Sequence, residues 1–290
     1  MVSADRRGRD RPRRAGRRLS ACAAGQQREL LASPQLDAIR AEARDEVDVR
    51  YIGLVAKQQQ QPWRQTRQRP VPVGCSVGHY AITAGTAGAF VRRGGGDERL
   101  LLSNNHVLAD ENRAQPGDEI VQPGAFDGGE RGPDSVALLD RFVELVPAEA
   151  NVVDAAVGAV VDGVEVEECA LRGLGELSGT IAPEEAEEVA KIGRTTGLTR
   201  GRVSAFEVDN VVVQYDSGLF RFDDQVEIAG VEGAFSLPGD SGSLIFAEPE
   251  HAAVALLFAG SDQGGPDNLG LTFANPIGTV LEQLGVELRC

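Results

Sequence analysis

Aromatic side chains are scarce in this sequence of 290 residues: they make up 5% of it, with one tryptophan and three tyrosines. Glycine is abundant instead, at 35 residues. This combination favours many short strands and tight turns over long helices. No apolar run approaches the roughly eighteen residues of a membrane-spanning helix, so we do not expect an integral membrane protein. The remaining composition, 42% hydrophobic and 25% charged, is that of an ordinary globular chain.

Cysteine is also sparse, and its four occurrences are scattered at Cys22, Cys75, Cys169 and Cys290. No two of them form a CxxC pair, and no histidine lies at ligand spacing from one. We therefore expect no zinc site, and the sequence indicates no other metal and no cofactor. Two disulfide bonds are compatible with four cysteines, although nothing in the spacing requires them.

Two short motifs near the start are similar to export signals. The segment LSAC at residues 19–22 looks like a lipoprotein cleavage box, and Arg17-Arg18 looks like a twin-arginine signal. Neither is accompanied by the apolar stretch of about 7–15 residues that a signal peptide contains. The sequence therefore predicts a cytoplasmic protein.

The net charge of −15 is distributed unevenly. Residues 1–20 carry eight arginines and two aspartates, a net charge of +6, whereas the rest of the chain carries −21. The acidic body should repel nucleic acid, and the arginine-rich arm alone could attract it. The alternative interpretation of the arm is a disordered, solvated tail.

The distribution of residue types along the chain predicts three regions. Residues 1–70 form a basic, partly disordered extension with one short helix at 36–49 and a polar linker at 58–69. About a dozen short apolar segments, predicted as strands, then follow from 80–83 to 269–274, separated by turn residues, as in an all-β sandwich or barrel pair. A charged stretch at 178–188 divides them into regions 71–178 and 179–290. A helix closes the chain: Asn275 can cap it, Pro276 fits its first turn, and its apolar stripe runs from Ile277 to Leu284.

The most informative motif is Gly239-Asp240-Ser241-Gly242-Ser243, which precedes the apolar run at 244–246. Glycines on both sides of a serine let the backbone bend sharply, so that the hydroxyl is presented and neighbouring N–H groups converge. Such N–H groups can form an oxyanion hole. Taken alone, the same residues are also typical of an ordinary β-turn.

A nucleophilic serine needs a base, and the chain offers three histidines. His106 follows the apolar strand at 99–103, where a turn begins, whereas His79 and His251 are interpreted as surface or loop residues. The third member of a triad is a carboxylate that orients the imidazole. Asp154 is the candidate, because it opens an apolar segment in which an unpaired carboxylate would be costly.

The order His106, Asp154, Ser241 resembles that of the chymotrypsin-like (trypsin-like) serine proteases of bacterial type. SNNHVL at 103–108, DAAV at 154–157 and GDSGS at 239–243 are similar to the family's three catalytic motifs, and the gaps of 48 and 87 residues also fit. GRTTG at 193–197 is similar to the segment that opens the second barrel in these proteins. The resemblance covers roughly residues 71–285.

The resemblance implies an all-β fold of two six-stranded antiparallel barrels with a C-terminal helix, and an active site between the barrels. It implies a serine endopeptidase in which Ser241 attacks, His106 takes the proton and Asp154 fixes the tautomer. The backbone N–H groups of Gly239 and Ser241 would bind the oxyanion. The partner is then a peptide or protein substrate.

The predicted substrate pocket contains Phe235, Phe258 and Gly260. In trypsins an acidic residue six positions before the nucleophile selects lysine or arginine, and here that position is Phe235. The sequence therefore predicts a small or apolar residue on the acyl side of the scissile bond. Three alternatives remain open: a catalytically silent module that binds peptides, an esterase with the same triad, and nucleic-acid tethering through the arm.

Overall fold

The computed structural model describes residues 61–265 and 268–290, together with the short pieces 4–5, 41–42 and 48–49. By internal contacts the chain divides into two compact units, Met1–Gln60 and Gln61–Cys290. In the smaller unit, β1 (Ala4–Asp5) pairs antiparallel with β2 (Asp48–Val49).

Few of the expectations for the smaller unit can be compared with the structure. Within the helix predicted at 36–49, Ala41 and Glu42 are helical, whereas Asp48 and Val49 belong to β2. The rest of that segment lies outside the described residues, as does most of the arginine-rich arm at 1–20, for which a disordered tail is one interpretation.

The larger unit consists almost entirely of short strands. Those of its first half are β3 (Val71–Pro72), β4 (Ser76–His79), β5 (Gly85–Thr86), β6 (Ala89–Arg92), β7 (Leu100–Ser103), β8 (Glu119–Val121), β9 (Ser135–Phe142), β10 (Ala150–Asn151), β11 (Ala156–Val160), β12 (Val166–Glu167), β13 (Ala170–Leu171) and β14 (Gly175–Glu176).

Seven of these strands and β23 (Glu287–Leu288) form one open antiparallel sheet in the order β23-β6-β7-β11-β9-β8-β4-β5. The central strand β7 is buried along its whole length, which explains its continuous run of leucines. β23 comes from the far end of the chain and pairs with β6, so the last residues complete the first half.

The second half contains the remaining strands. They are β15 (Glu188–Gly193), β16 (Gly197–Val208), β17 (Val211–Tyr215), β18 (Gly218–Phe222), β19 (Gln225–Gly230), β20 (Leu244–Ala247), β21 (Ala253–Gly260) and β22 (Thr272–Pro276). Six of them close into a barrel in the order β15-β16-β19-β22-β21-β20. β17 and β18 form a separate hairpin that adds β10 of the first half as a third strand.

Two α-helices occur in the described part of this unit, α1 (Asn105–Leu108) and α2 (Ile277–Leu284). The predicted apolar stripe of α2 is confirmed, since Ile277, Val280 and Leu284 are buried. The helix ends at Gly285, whose φ of 64° is the left-handed conformation that glycine adopts without strain. The predicted helix cap is not formed: Pro276 precedes the helix, no side chain caps it, and the amide of Asn275 has partners elsewhere.

The all-β prediction is confirmed, with one closed six-stranded barrel and one open sheet. Three details differ from the sequence-based expectation. The first region forms an open sheet and not a second closed six-stranded barrel. The predicted strand at 80–83 is a turn that follows β4. The end of the predicted linker also packs on the strands, because the Trp63 ring lies 4.6 Å from the Arg172 guanidinium and the Gln68 N–H donates to Gln122 Oε1 at 2.8 Å. Among the described residues, no helix has the length and apolar character to cross a membrane.

Candidate active site

His106 lies on α1, the single helical turn that follows β7. Val107 and Leu108 on the same turn are buried in the core. Just before the turn, the side-chain amide of Asn104 donates to the carbonyl of Asp154 at 2.7 Å. These contacts fix the turn between two strands, and the imidazole, with 18% of its side chain exposed, lines an open cleft.

Asp154 is fully buried and lies two residues before β11. Its Oδ2 is 2.5 Å from Nδ1 of His106, and its Oδ1 accepts the backbone N–H of His106 at 3.2 Å. Its own N–H donates to Oδ1 of Asn275 at 3.0 Å. A buried carboxylate that receives several donors can remain ionised. With Nδ1 of His106 donating to this carboxylate, Nε2 is left as the acceptor that can take a proton from a nucleophile.

Ser241 lies in the loop that leads into β20, between Gly239 and Gly242. Only glycine fits at these two positions. Gly239 and Gly242 have φ values of 97° and 89°. A Cβ on Gly242 would come within 2.0 Å of Oγ of Ser103, and one on Gly239 within 2.6 Å of Oγ1 of Thr195. The close approach of the loop to Ser103 of the first sheet therefore requires glycine at 242, and the positive φ at both positions fits the sharp bend that the motif predicted.

The loop also has unused backbone donors beside the serine. In the described part of the chain, the N–H groups of Gly239 and Ser241 donate to no protein acceptor. The carbonyls of the same two residues are engaged: that of Ser241 accepts the N–H of Thr86 at 2.8 Å, and that of Gly239 accepts Oγ1 of Thr86 at 3.0 Å. The two free N–H groups are therefore held on a fixed loop, which is the property that an oxyanion hole requires.

Asp240, between these two residues, anchors the loop from within the protein. Oδ1 accepts the N–H groups of Thr195 and Thr196 at 2.8 and 3.1 Å, and Oδ2 accepts the N–H of Leu237 at 3.0 Å. The ammonium of Lys191 lies 3.4 Å from Oδ2, and both side chains are fully buried. Burial lowers the pKa of Lys191 to about 8, although the carboxylate of Asp240 acts in the opposite direction.

His106, Ser241 and Gly239 line one open cleft of about 970 Å³ in the larger unit. Phe258 and Gly260, two of the predicted pocket residues, line the same cleft. Phe235, the third, does not: it is buried in the core of the barrel, and its ring lies 5.7 Å from the ammonium of Lys191. The next residue, Ser236, lines the cleft, and its hydroxyl is 2.7 Å from that of Thr272.

The other two histidines lie outside this cleft. His79 is buried, with Nε2 at 3.3 Å from Oδ2 of Asp118, so its interpretation as a surface or loop residue is wrong. His251 is half-buried in the turn between β20 and β21 and has a φ of 59°.

Sequence reasoning missed two residues that contact Asp154. Tyr215 donates its hydroxyl to Oδ2 at 2.6 Å, and Asn275 accepts the backbone N–H. Their separations from Asp154 along the chain are 61 and 121 residues. Tyr215 carries no motif that would have indicated this role. Asn275 had a local signal, the Asn-Pro pair before a helix, and that signal pointed to a cap instead.

Comparison with solved structures identifies the architecture. Thermobifida fusca protease A is 17% identical to this chain, with a TM-score of 0.52, and the match covers 75% of this chain and 97% of that one. Cellulomonas bogoriensis chymotrypsin is 19% identical, with a TM-score of 0.51 and the same coverage. A glutamic acid-specific serine protease, described as using a histidine triad in substrate binding, is 21% identical, with a TM-score of 0.51 and 75% and 100% coverage.

The chain therefore has the fold of the chymotrypsin-like serine proteases of bacterial type, as its motifs predicted. A family model described as the Nal1 C-terminal domain also matches residues 148–272, which is less than half of the chain. Among curated proteins, none matches the sequence significantly.

Proposed function

We propose that this protein is a serine endopeptidase that acts through Ser241, His106 and Asp154. The observation that carries the proposal is the arrangement of the reactive groups in one cleft. An imidazole that is hydrogen-bonded to a buried carboxylate lines it together with a serine, and two unused backbone N–H groups belong to the serine loop. Each of these groups has a separate task in acyl transfer.

The chemistry follows from the position of each group. Nε2 of His106 removes the proton from Oγ of Ser241 as the oxygen attacks a peptide carbonyl, and the carboxylate of Asp154 stabilises the resulting imidazolium. The N–H groups of Gly239 and Ser241 bind the oxyanion. The imidazolium then gives its proton to the leaving amine, and water releases the acyl group by the same route in reverse.

We propose a preference for a small or apolar residue on the acyl side of the scissile bond. Gly260 and Ser236 approach closely, since a Cβ on Gly260 would lie 3.2 Å from Oγ of Ser236. The hydroxyl of Ser236, which is bonded to that of Thr272, gives that part of the cleft a neutral surface, and Phe258 adds an apolar one. A glutamate-binding histidine triad is not supported, because among the described residues His106 is the only imidazole in the cleft.

The test is covalent labelling with a fluorophosphonate probe, followed by intact mass measurement. We expect one adduct on the wild type and none on Ser241→Ala. A peptide library with varied residues before the scissile bond would then measure selectivity. Preferred cleavage after lysine or arginine would contradict the proposed pocket but not the proposed triad.

A second candidate function is a module of the same fold that binds peptides without cleaving them. One observation favours it: among the described residues, the Ser241 hydroxyl forms no hydrogen bond, although its carbonyl does. Serine–histidine contacts are often long before substrate binds, so the geometry is compatible with catalysis as well. Peptide binding without any phosphonate adduct at neutral pH would support the module over the enzyme.

A further inference from the structure

The hairpin of β17 and β18 belongs to the second half but is fastened to the aspartate segment of the first. β18 pairs in parallel with β10, whose last residue lies three positions before Asp154. The side-chain amide of Asn151 donates to the carbonyl of Arg221 at 3.1 Å, and the N–H of Asp223 donates to the carbonyl of Asn151 at 2.9 Å. The hairpin base therefore has a fixed position relative to the candidate triad.

A second anchor holds the tip of the same hairpin. The carboxylate of Glu111, which follows α1, accepts the N–H groups of Asp216 and Ser217 at 3.1 and 2.8 Å. Burial raises the pKa of Glu111, but the hydrogen bonds from Ser217 and Asp216 outweigh that effect and lower it overall. The carboxylate is therefore charged near neutral pH and forms charge-assisted bonds to the turn.

We propose that Tyr215, at the end of β17, is a positioning residue that holds Oδ2 of Asp154 in register with the His106 imidazole; this inference rests on the proposed peptidase function. Its hydroxyl donates to Oδ2 at 2.6 Å, the same oxygen that lies 2.5 Å from Nδ1 of His106. Its ring meets that of His106 edge-on, with centroids 5.5 Å apart. A single buried side chain thus contacts both the carboxylate and the base.

Tyr215 is suited to act as a permanent donor. Its side chain is buried, and its ring also packs against Phe220 with centroids 5.3 Å apart. Burial, and then the charge of Asp154, raise the pKa of Tyr215 well above its ordinary range. The phenol therefore keeps its proton across the working pH range and restricts the carboxylate to one orientation.

The test is Tyr215→Phe, which removes the hydroxyl and keeps the ring, with Tyr80→Phe as the matched control outside the cleft. We expect kcat to fall roughly tenfold, the effect of one hydrogen bond to a charged group, with KM within about twofold. The acid limb of kcat/KM should move to higher pH, because a carboxylate that has lost a donor stabilises the imidazolium more strongly. Tyr80→Phe should leave both unchanged.

An independent readout does not need turnover. The proton shared by His106 and Asp154 should give a far-downfield NMR signal that shifts in Tyr215→Phe and stays in place in Tyr80→Phe. If the wild type takes no phosphonate adduct, the proposed function fails, but this signal still tests Tyr215. An unchanged signal together with an unchanged pH profile would overturn the inference. Should Tyr215→Phe not fold, Glu111→Gln, which loosens the hairpin tip, should shift the same signal less; no shift would contradict the inference.

A different observation concerns the free thiols Cys169 and Cys290, each of which contacts the residue that precedes the other. Sγ of Cys169 is 3.4 Å from the carbonyl of Arg289, and Sγ of Cys290 is 3.8 Å from the carbonyl of Glu168. The guanidinium of Arg289 also pairs with the carboxylate of Glu168 at 2.7 Å. Burial and contact with the Cys169 thiol both raise the pKa of Cys290, which agrees with the two sulfurs being neighbours.

We infer that Cys169 and Cys290 form a disulfide bond when a small-molecule disulfide is present. The thiolate of one of the two cysteines attacks that disulfide and releases one thiol, and the thiolate of the other then attacks the mixed disulfide and releases the second. The two cysteines are oxidised and the reagent is reduced to two thiols. The bond would fasten the segment after β23 to the segment between β12 and β13.

The test is incubation of the full chain with oxidised glutathione, then intact mass and peptide mapping. We expect the loss of two hydrogen atoms and a linked peptide pair containing Cys169 and Cys290, with a higher Tm than the reduced protein. Cys290→Ser should show neither change, and Cys75→Ser, at a fully buried thiol, should show both. A stable glutathione adduct on Cys290, or linkage of Cys290 to another cysteine, would overturn the inference.

Discussion

At the scale of single residues, the proposed mechanism depends on groups that act only together. Ser241 has little nucleophilicity without a base, and His106 has a defined tautomer because Asp154 receives its Nδ1 proton. Removing one member therefore removes most of the mechanism. The free N–H groups of Gly239 and Ser241 would remain and supply residual stabilisation of the oxyanion.

This interdependence predicts strong non-additivity. Ser241→Ala should lower kcat by roughly 10⁶, and adding His106→Ala should cost little more, because the unit is already disabled. The measurement is kcat for the two single variants and the double variant with one peptide substrate. Losses that multiply in the double variant would contradict a shared mechanism.

The lowered pKa of Lys191 predicts that activity decreases at alkaline pH. Burial lowers its pKa to about 8, so above that pH the amine becomes neutral and Asp240 loses its charged neighbour. The loop that carries Gly239 and Ser241 is then held less firmly, and kcat/KM should fall above about pH 8. Lys191→Met imitates the neutral amine. It should be less active at pH 7 and lack the alkaline limb, whereas Arg202→Met, at a cation whose side chain is 58% exposed, should behave like the wild type.

The contribution of Lys191 to stability should change with pH in the opposite direction: it should rise where the activity falls. The folded pKa of Lys191, about 8, lies below its ordinary value of 10.5, so between these values the unfolded chain binds more protons. The contribution of this group to the free energy of unfolding must therefore rise with pH across that window. Urea unfolding of the wild type and Lys191→Met between pH 7.5 and 10 measures it. The free energy of unfolding of the wild type minus that of Lys191→Met should therefore increase with pH. A decrease would contradict the lowered pKa of the buried amine.

At the scale of secondary-structure elements, one buried ion pair joins the two halves beside the cleft. The guanidinium of Arg194, in the turn between β15 and β16, bonds Asp127 through two hydrogen bonds of 2.7 and 2.6 Å. Asp127 ends a short 3₁₀ turn of the first half, and the side chains of the pair are only 9% and 3% exposed. The segment around Asp127 is thus part of the packed structure.

Asp127→Asn should therefore destabilise the protein strongly. It leaves a buried guanidinium without its countercharge, a change that typically costs about 3–5 kcal/mol. Glu188→Gln breaks the pair between Arg202 and Glu188, whose side chains are 58% and 62% exposed, and should have no measurable effect. Denaturant unfolding of both variants gives the comparison. Equal effects would show that burial does not control these pairs.

At the scale of the whole molecule, the difference in charge between the arm and the rest of the chain predicts how the protein binds polyanions such as DNA and RNA. Residues 1–20 carry +6 and the remainder −21. Any binding to DNA or RNA should be weak, should decrease steeply with salt, and should disappear when the arm is deleted. Gel-shift titrations of the full chain and a variant lacking residues 2–20 measure this. Salt-insensitive binding by the deletion variant would contradict it.

The sequence by itself determined the strand-rich fold and indicated the three candidate triad residues, because these signals are local. Short apolar runs between turn residues indicate strands, and the glycines at 239 and 242 are required wherever a backbone approaches a neighbour this closely. The closing helix is likewise encoded in the spacing of Ile277, Val280 and Leu284. None of these features depends on which distant segment becomes the neighbour.

Only the tertiary structure decided what surrounds Asp154 and where the pocket residues lie. Tyr215 and Asn275 reach the carboxylate segment across 61 and 121 residues, and no periodicity or motif encodes such a meeting. Phe235 was placed in the pocket by counting back from Ser241, but the loop directs its ring into the barrel and leaves Ser236 at the cleft. Counting along a chain gives separation in sequence, whereas strand pairing and burial decide which side chains meet.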